Sequence, residues 1–164
     1  MEDRIPANCE VRARAGDSLL LAPLKRVLCV AHFQRGKGHE YLFHATAQLF
    51  SRGRRFFLDL AGRGPERADL EILANTLAIR EYCWFRGMVP RAQMPALYWA
   101  STVVVLPSEW EGLGLALVEA AACGRPIIGV RGTGMIDIVQ PGVNGFLVDP
   151  RDAEGLAWAI EKFL

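Results

Sequence analysis

Six short apolar runs recur along this chain, each followed by a stretch long enough for a helix. They are RVLCVA (26–31), RFFLDLAG (55–62), EYCWFR (81–86), TVVVL (102–106), PIIGV (126–130) and, more weakly, GFLV (145–148). Inside each run the apolar residues are consecutive instead of alternating. That is the pattern of strands covered on both faces, hence of a parallel sheet. The spacing predicts helices over 38–50, 65–78 and 91–100, one beginning near Gly112 or Leu113 and running to about 123, a helical turn over 134–139, and a final helix over 152–164 with Asp152 at its N-cap. Strands alternating with helices make right-handed βαβ units. The fold class is therefore α/β, a doubly wound parallel sheet of about six strands. In such sheets ligands sit at the carboxyl ends of the strands, which is where the chemistry is to be sought.

The opening stretch breaks this pattern. Residues 1–25 hold no sustained period and include Pro6, Gly16 and Pro23, so they read as an irregular leader or arm, with the sheet domain occupying 26–164. Within that arm the apolar segment 19–24 is a candidate partner contact. The chain has 164 residues, 51% of them hydrophobic and 23% charged, as expected of one globular domain with a substantial core. Its formal net charge of +1 provides no field for nucleic acid or an anionic membrane. No apolar run reaches the roughly 18 residues that span a bilayer, which leaves peripheral membrane association open. Cys9, Cys29, Cys83 and Cys123 lack C-x-x-C or metal spacing, so no metal site is read. Cys29 and Cys123 have apolar neighbours and are expected to be buried thiols in a reducing, cytoplasmic setting.

Four strand ends carry glycines and charge. After 102–106 comes PSEWEGLGLALVEAAACGRP (107–126), with Gly112 and Gly114 just ahead of a helix. Residues without Cβ let backbone amides approach a ligand, and a helix N-terminus is a ready anion site. Glu119 would have Leu115, Ala116, Ala122 and Cys123 as its helical neighbours. A carboxylate in such company needs a partner. The hydroxyls of a ribose would serve, and so would an arginine or a backbone donor; the residues alone leave both open. Glu111, in the glycine loop, suits another part of an elongated ligand. The first strand ends in AHFQRGKGH (31–39), where Lys37 can act as a point charge on a phosphate. Neither G-x-G-x-x-G nor a P-loop is present, which argues against a nicotinamide dinucleotide or ATP hydrolysis.

Together these residues resemble the C-terminal, donor-binding domain of retaining glycosyltransferases of family 4, the glycosyl transferases group 1, whose two Rossmann-like halves form the GT-B fold. The likeness covers about 26–164. It rests on PS…EGLG…EAAACGRP with glutamates at 111 and 119, on Lys37-Gly38, on AGRGP (61–65), on FRGMV (85–89), and on NGFLV (144–148) followed by Asp152. The resemblance implies a domain that binds a nucleoside-diphosphate sugar, UDP being the family's commonest carrier, with no other cofactor and no metal. Glu119 would hold the ribose, and Glu111 would lie by the donor sugar and its anomeric centre. Lys37 and the amides of Gly114 and Leu115 would hold the diphosphate, with Gly112 and Leu113 in the same loop. Met88 and Val89 would flank the base, and Gly62 would form the neighbouring turn.

Two positions depart from the family pattern. His32 stands where the family places an arginine on the diphosphate, and Arg35 is a candidate substitute. The segment GTGMID (132–137) lacks the family's proline and carries a shortened acid. A complete enzyme of this kind has a second domain for the acceptor. The expectation is therefore half of a hexosyltransferase acting on a glycan, lipid or small molecule, as a fragment or a subunit needing an acceptor-domain polypeptide. The alternative is a non-catalytic nucleotide-sugar-binding or regulatory module, or an inactive fragment lacking that domain.

Overall fold

The computed structural model describes residues 24–164. The proposed arm, with Cys9 and most of the 19–24 segment, falls outside the described residues. Six parallel strands run in the order β3-β2-β1-β4-β5-β6. They are β1 (Arg26–Val30), β2 (Phe57–Ala61), β3 (Cys83–Gly87), β4 (Val103–Val105), β5 (Ile127–Val130) and β6 (Gly145–Val148). β1 lies between β2 and β4, with Val27 opposite both Leu58 and Val103. The order of strands reverses there, and in open α/β sheets ligands bind at the carboxyl ends of the strands beside such a switch point.

Five α-helices connect or follow the strands: α1 (His39–Ser51), α2 (Arg67–Thr76), α3 (Met94–Ala100), α4 (Leu115–Ala122) and α5 (Ala153–Glu161). α1 packs against α2 and α5, and α3 packs against α4, giving two helical layers. The continuous apolar runs are explained by this arrangement: Val27, Leu28, Leu58, Leu60, Val103, Val104, Ile127 and Ile128 are all fully buried. Asp59 is the exception inside the sheet. It is 1% exposed and takes Arg26 Nε at 2.8 Å and Arg86 Nε at 2.6 Å. No helix among the described residues is long and apolar enough to cross a membrane.

The boundaries differ from expectation in ways that have local causes. Residues 80–82 form a 3₁₀ turn instead of opening β3, with Tyr82 N donating to Ile79 O at 3.0 Å and the Tyr82 ring edge-on to Phe50 at 4.8 Å. α2 ends at Thr76, and Ala78 follows at a left-handed φ of 55°. α4 begins at Leu115, two or three residues later than the glycines suggested. Asp152 does cap α5, accepting from Gly155 N at 2.8 Å. Cys29 and Cys83 are buried, and burial pushes both thiols up to about 12. Cys123, expected inside, is only half-buried, since it lies just beyond the end of the short helix α4.

Candidate functional site

The loops after β1 and β4 are locked together by one glycine. Gly38 caps α1 at a φ of 72°, a left-handed conformation that side chains resist. A Cβ there would stand 2.0 Å from the Pro107 carbonyl oxygen. At this point the two loops can touch only because residue 38 has no side chain. Glu109 N completes the join by donating to Gly36 O at 2.8 Å.

This contact carries Lys37 onto the β4 loop. Its Nζ donates to Glu111 Oε2 at 3.0 Å, with both side chains largely shielded from solvent. Beyond Glu111 the chain reaches Gly114, which caps α4, also at a φ of 72° and with no side-chain cap. The first helical bond is that from Leu117 N to Gly114 O, at 2.8 Å. The amides of Gly114, Leu115 and Ala116 have no acceptor among the described residues. Gly112 behaves differently from Gly114: a Cβ on it would meet nothing, and it is Gly134 whose Cβ would strike the Gly112 carbonyl, at 1.7 Å. The loop is thus held from below by Gly134, a role for GTGMID that the sequence did not suggest.

Lys37, Glu111 and residues 113–116 face a cavity of about 600 Å³ at the end of β1. A second cavity, of about 310 Å³, extends from residues 30–32 across Gly62 to Met88 and Val89. Residues 30–32 wall both, so one cleft follows the carboxyl ends of β3, β2, β1 and β4. It brings together Lys37, Glu111, Leu113, Gly114, Leu115, His32, Gly62, Met88 and Val89. Met94, at the start of α3, also lines it and was missed, since a methionine in a helix reads as core.

His32 lines the cleft, whereas Arg35, Gly112 and Glu119 are not among the residues that line these two cavities. His32 is exposed at the cleft, its Nδ1 3.2 Å from the Arg63 carbonyl. Arg35 lies outside the cleft. The turn closed by Lys37 N donating to Gln34 O (3.2 Å) sends residues 35 and 37 to different sides. The Arg35 side chain is 98% exposed, 3.5 Å from Glu66, and lines a separate cavity beside Tyr41, Glu109 and Arg151.

Glu119 is exposed, against the expectation drawn from its apolar neighbours. Leu115 is itself 68% exposed and Val118 37%, so this side of α4 has no covering layer among the described residues. The partner that meets the carboxylate is neither an arginine nor a backbone donor. The Tyr98 hydroxyl donates to Glu119 Oε2 at 2.8 Å. Burial, and after it the hydrogen bond from Tyr98 to Glu119, raises the phenol's pKa, so it remains a donor. Nearby, His39 opens α1 with 3% exposure and a buried Nε2 that has no partner among the described residues. Burial and then the Lys37 charge lower its pKa to about 4, leaving a neutral ring beside the cleft's cation.

Comparison with known proteins places this geometry in company. The family model described as Glycosyl transferases group 1 matches residues 18–164. The chain is 34% identical to an uncharacterized glycosyltransferase of Methanocaldococcus jannaschii, over 85% of this chain and 36% of that protein. Among solved structures it resembles sucrose-phosphate synthase from Thermosynechococcus elongatus, with 34% identity and a TM-score of 0.79, over 85% of this chain and 36% of that one. It also resembles Anabaena HepE, solved in complex with UDP and glucose, with 29% identity and a TM-score of 0.75, over 84% of this chain and 38% of that one. The chain thus spans just over a third of the length of these proteins.

Proposed function

The chain belongs to the glycosyl transferases group 1 family, and from that premise we propose that it is the nucleotide-sugar donor-binding domain of a retaining hexosyltransferase. One observation carries the reading. Lys37, Glu111 and the unpaired amides of Gly114, Leu115 and Ala116 converge on a single cavity. A cation and free amides at a helix N-terminus suit a diphosphate. As the glycosidic bond breaks, negative charge grows on the departing nucleoside diphosphate. Fixed donors aimed at that charge stabilise the transition state more than the ground state.

In this reading Glu111 lies by the donor sugar, while the base occupies the narrower part of the cleft between Met88 and Val89. Glu119 accepts from the ribose hydroxyls. The acceptor, a glycan, lipid or small molecule, is supplied from a second domain or a partner polypeptide. UDP is the proposed carrier; Anabaena HepE, a 29% identical neighbour, was solved with UDP and glucose. A cytoplasmic location accompanies the reading, in keeping with the free thiols of Cys29, Cys83 and Cys123.

A second reading, a non-catalytic nucleotide-sugar-binding module, is favoured by His32 alone, an exposed imidazole in place of a fixed cation. Calorimetric titration with UDP, ADP, GDP and their sugars, on wild type and Glu119→Ala, tests the donor-domain proposal. Binding of one nucleotide, lost in the variant, is the expected result. No heat with any of them at millimolar concentration overturns the proposal.

A further inference from the structure

Among the described residues, the one polar contact made by the Glu119 side chain comes from a residue that no motif singles out. Tyr98 sits in α3, 21 residues before Glu119, with its ring 1% exposed in the core. A buried phenol ring has two side-chain torsions, both fixed here by packing, so its hydroxyl is a stationary donor. Glu119 is the reverse, an exposed side chain with three torsions and only apolar residues beside it on its own helix. Left alone, such a carboxylate samples several rotamers.

We propose that Tyr98 is a positioning residue for the nucleotide, holding the Glu119 carboxylate in the orientation that accepts a ribose diol. This rests on the donor-domain reading given above. The geometry leaves the right number of acceptors free. The phenol occupies one lone pair of Oε2, at 2.8 Å, and Oε1 has no hydrogen bond among the described residues. An ionised carboxylate offers about four acceptor sites in all. Two adjacent hydroxyls can therefore donate to the same group without displacing Tyr98. The consequence is a preference for ribose over deoxyribose that depends on a residue placed to touch neither hydroxyl.

The test uses the nucleoside diphosphate that wild type binds most tightly among UDP, ADP and GDP, together with its 2′-deoxy counterpart. Both are titrated into wild type, Tyr98→Phe, Glu119→Ala and the double variant. Tyr98→Phe is expected to weaken the ribonucleotide about fivefold, the scale of one hydrogen bond, and to weaken the deoxynucleotide, which keeps only its 3′ hydroxyl for Glu119, by less. The double variant should match Glu119→Ala. If the phenylalanine variant weakens both nucleotides equally, or neither, while Glu119→Ala abolishes the sugar preference, the positioning role is overturned and the donor-domain reading stands. If Glu119→Ala leaves the preference unchanged, or wild type binds no nucleotide, the reading itself falls and the positioning role with it. A measurement on wild type covers the case in which the phenylalanine variant does not fold. The Tyr98 ring carbon bearing the hydroxyl should shift further in NMR on adding the ribonucleotide than on adding the deoxynucleotide. Equal shifts, or none, overturn the proposal.

Discussion

The Lys37 ammonium stands 3.0 Å from the Glu111 carboxylate, joining loops that are 74 residues apart in sequence. The pair places one charge of each sign at the mouth of the same cleft. A diphosphate arriving there gains the lysine but must tolerate the glutamate, so the two residues should act in opposite directions. Lys37→Ala is expected to weaken nucleoside diphosphate binding about tenfold, the loss of one charge-assisted bond. Glu111→Gln should tighten the sugar-free diphosphate about threefold, by removing a like charge and freeing the lysine. Calorimetry on both variants checks this, and a change in the same direction for both would contradict it.

His32 is exposed where a cation would face the diphosphate. His32→Arg should therefore tighten diphosphate binding about fivefold, in the range of one charged hydrogen bond at a partly screened site. The parent nucleoside, which lacks phosphate, should bind unchanged. An unaltered diphosphate affinity would mean that the end of β1 does not take part in phosphate binding.

Gly38 and Gly114 share a φ of 72° yet should not be equally sensitive. A left-handed alanine costs roughly 1–2 kcal/mol. At Gly114 the new Cβ meets Met135 Cγ at 3.0 Å and Leu106 Cδ2 at 3.3 Å, side-chain atoms of buried residues that need to give by only a few tenths of an ångström, so the loss should stay nearer that figure than at Gly38. At Gly38 it meets the Pro107 carbonyl oxygen at 2.0 Å, a backbone atom that moves only with the whole loop. Gly38→Ala should cost about 3 kcal/mol or more. It should also displace Glu111 and weaken nucleotide binding. Urea denaturation of the two variants gives the comparison, and equal losses would refute it.

Asp59 is buried between Arg26 and Arg86, whose side chains are 23% and 15% exposed. Removing the shared acid leaves two guanidinium groups with little water and no counter-charge. Asp59→Ala should destabilise the sheet by about 3 kcal/mol, as for other broken buried pairs. An exposed pair such as Arg131 with Asp149 should cost less than about 1 kcal/mol when Asp149→Ala is made. The difference between the two urea midpoints is the test.

The strands were legible in the sequence because each is covered on both faces, which removes polar residues from the run and leaves a local signal. Strand order and its reversal at β1–β4 carry no local signal in the sequence and come from the structure. What failed were inferences that treated sequence neighbours as surroundings. Leu115, Ala116, Ala122 and Cys123 made Glu119 look buried, but apolar neighbours bury a group only when another layer covers them, and here Leu115 is itself 68% exposed. Tyr98 was invisible as the partner because its ring obeys the core pattern of α3 and only its hydroxyl departs from it. Arg35 was a candidate only by its nearness in sequence to Lys37, and across the turn closed by Lys37 N and Gln34 O the two residues face different ways. The Lys37–Glu111 pair brings two motif residues together, yet no periodicity could have predicted its 3.0 Å geometry.

His39 makes the stability of this fold depend on pH in a way that can be assigned to one ring. Its Nε2 is buried without a partner, and the ring packs edge-on against Phe33 at 5.2 Å. Burial first, and the Lys37 charge second, lower its pKa from 6.5 to about 4. The unfolded chain therefore takes up this proton below about 6.5, whereas the folded chain refuses it until about 4. Between those values the unfolded state binds more protons, so stability falls as pH falls. Above about 6.5 the ring contributes no pH dependence. A lowering of this size corresponds to about 3 kcal/mol lost by pH 4. His39→Leu removes the titration and should flatten this part of the profile. Carboxylates also titrate toward the acid end, so the quantity to read is the difference between wild type and variant in urea unfolding at pH 7.5 and 4.5. That difference should narrow or reverse in favour of the variant at the lower pH. Parallel losses in both proteins would place the acid sensitivity elsewhere in the fold.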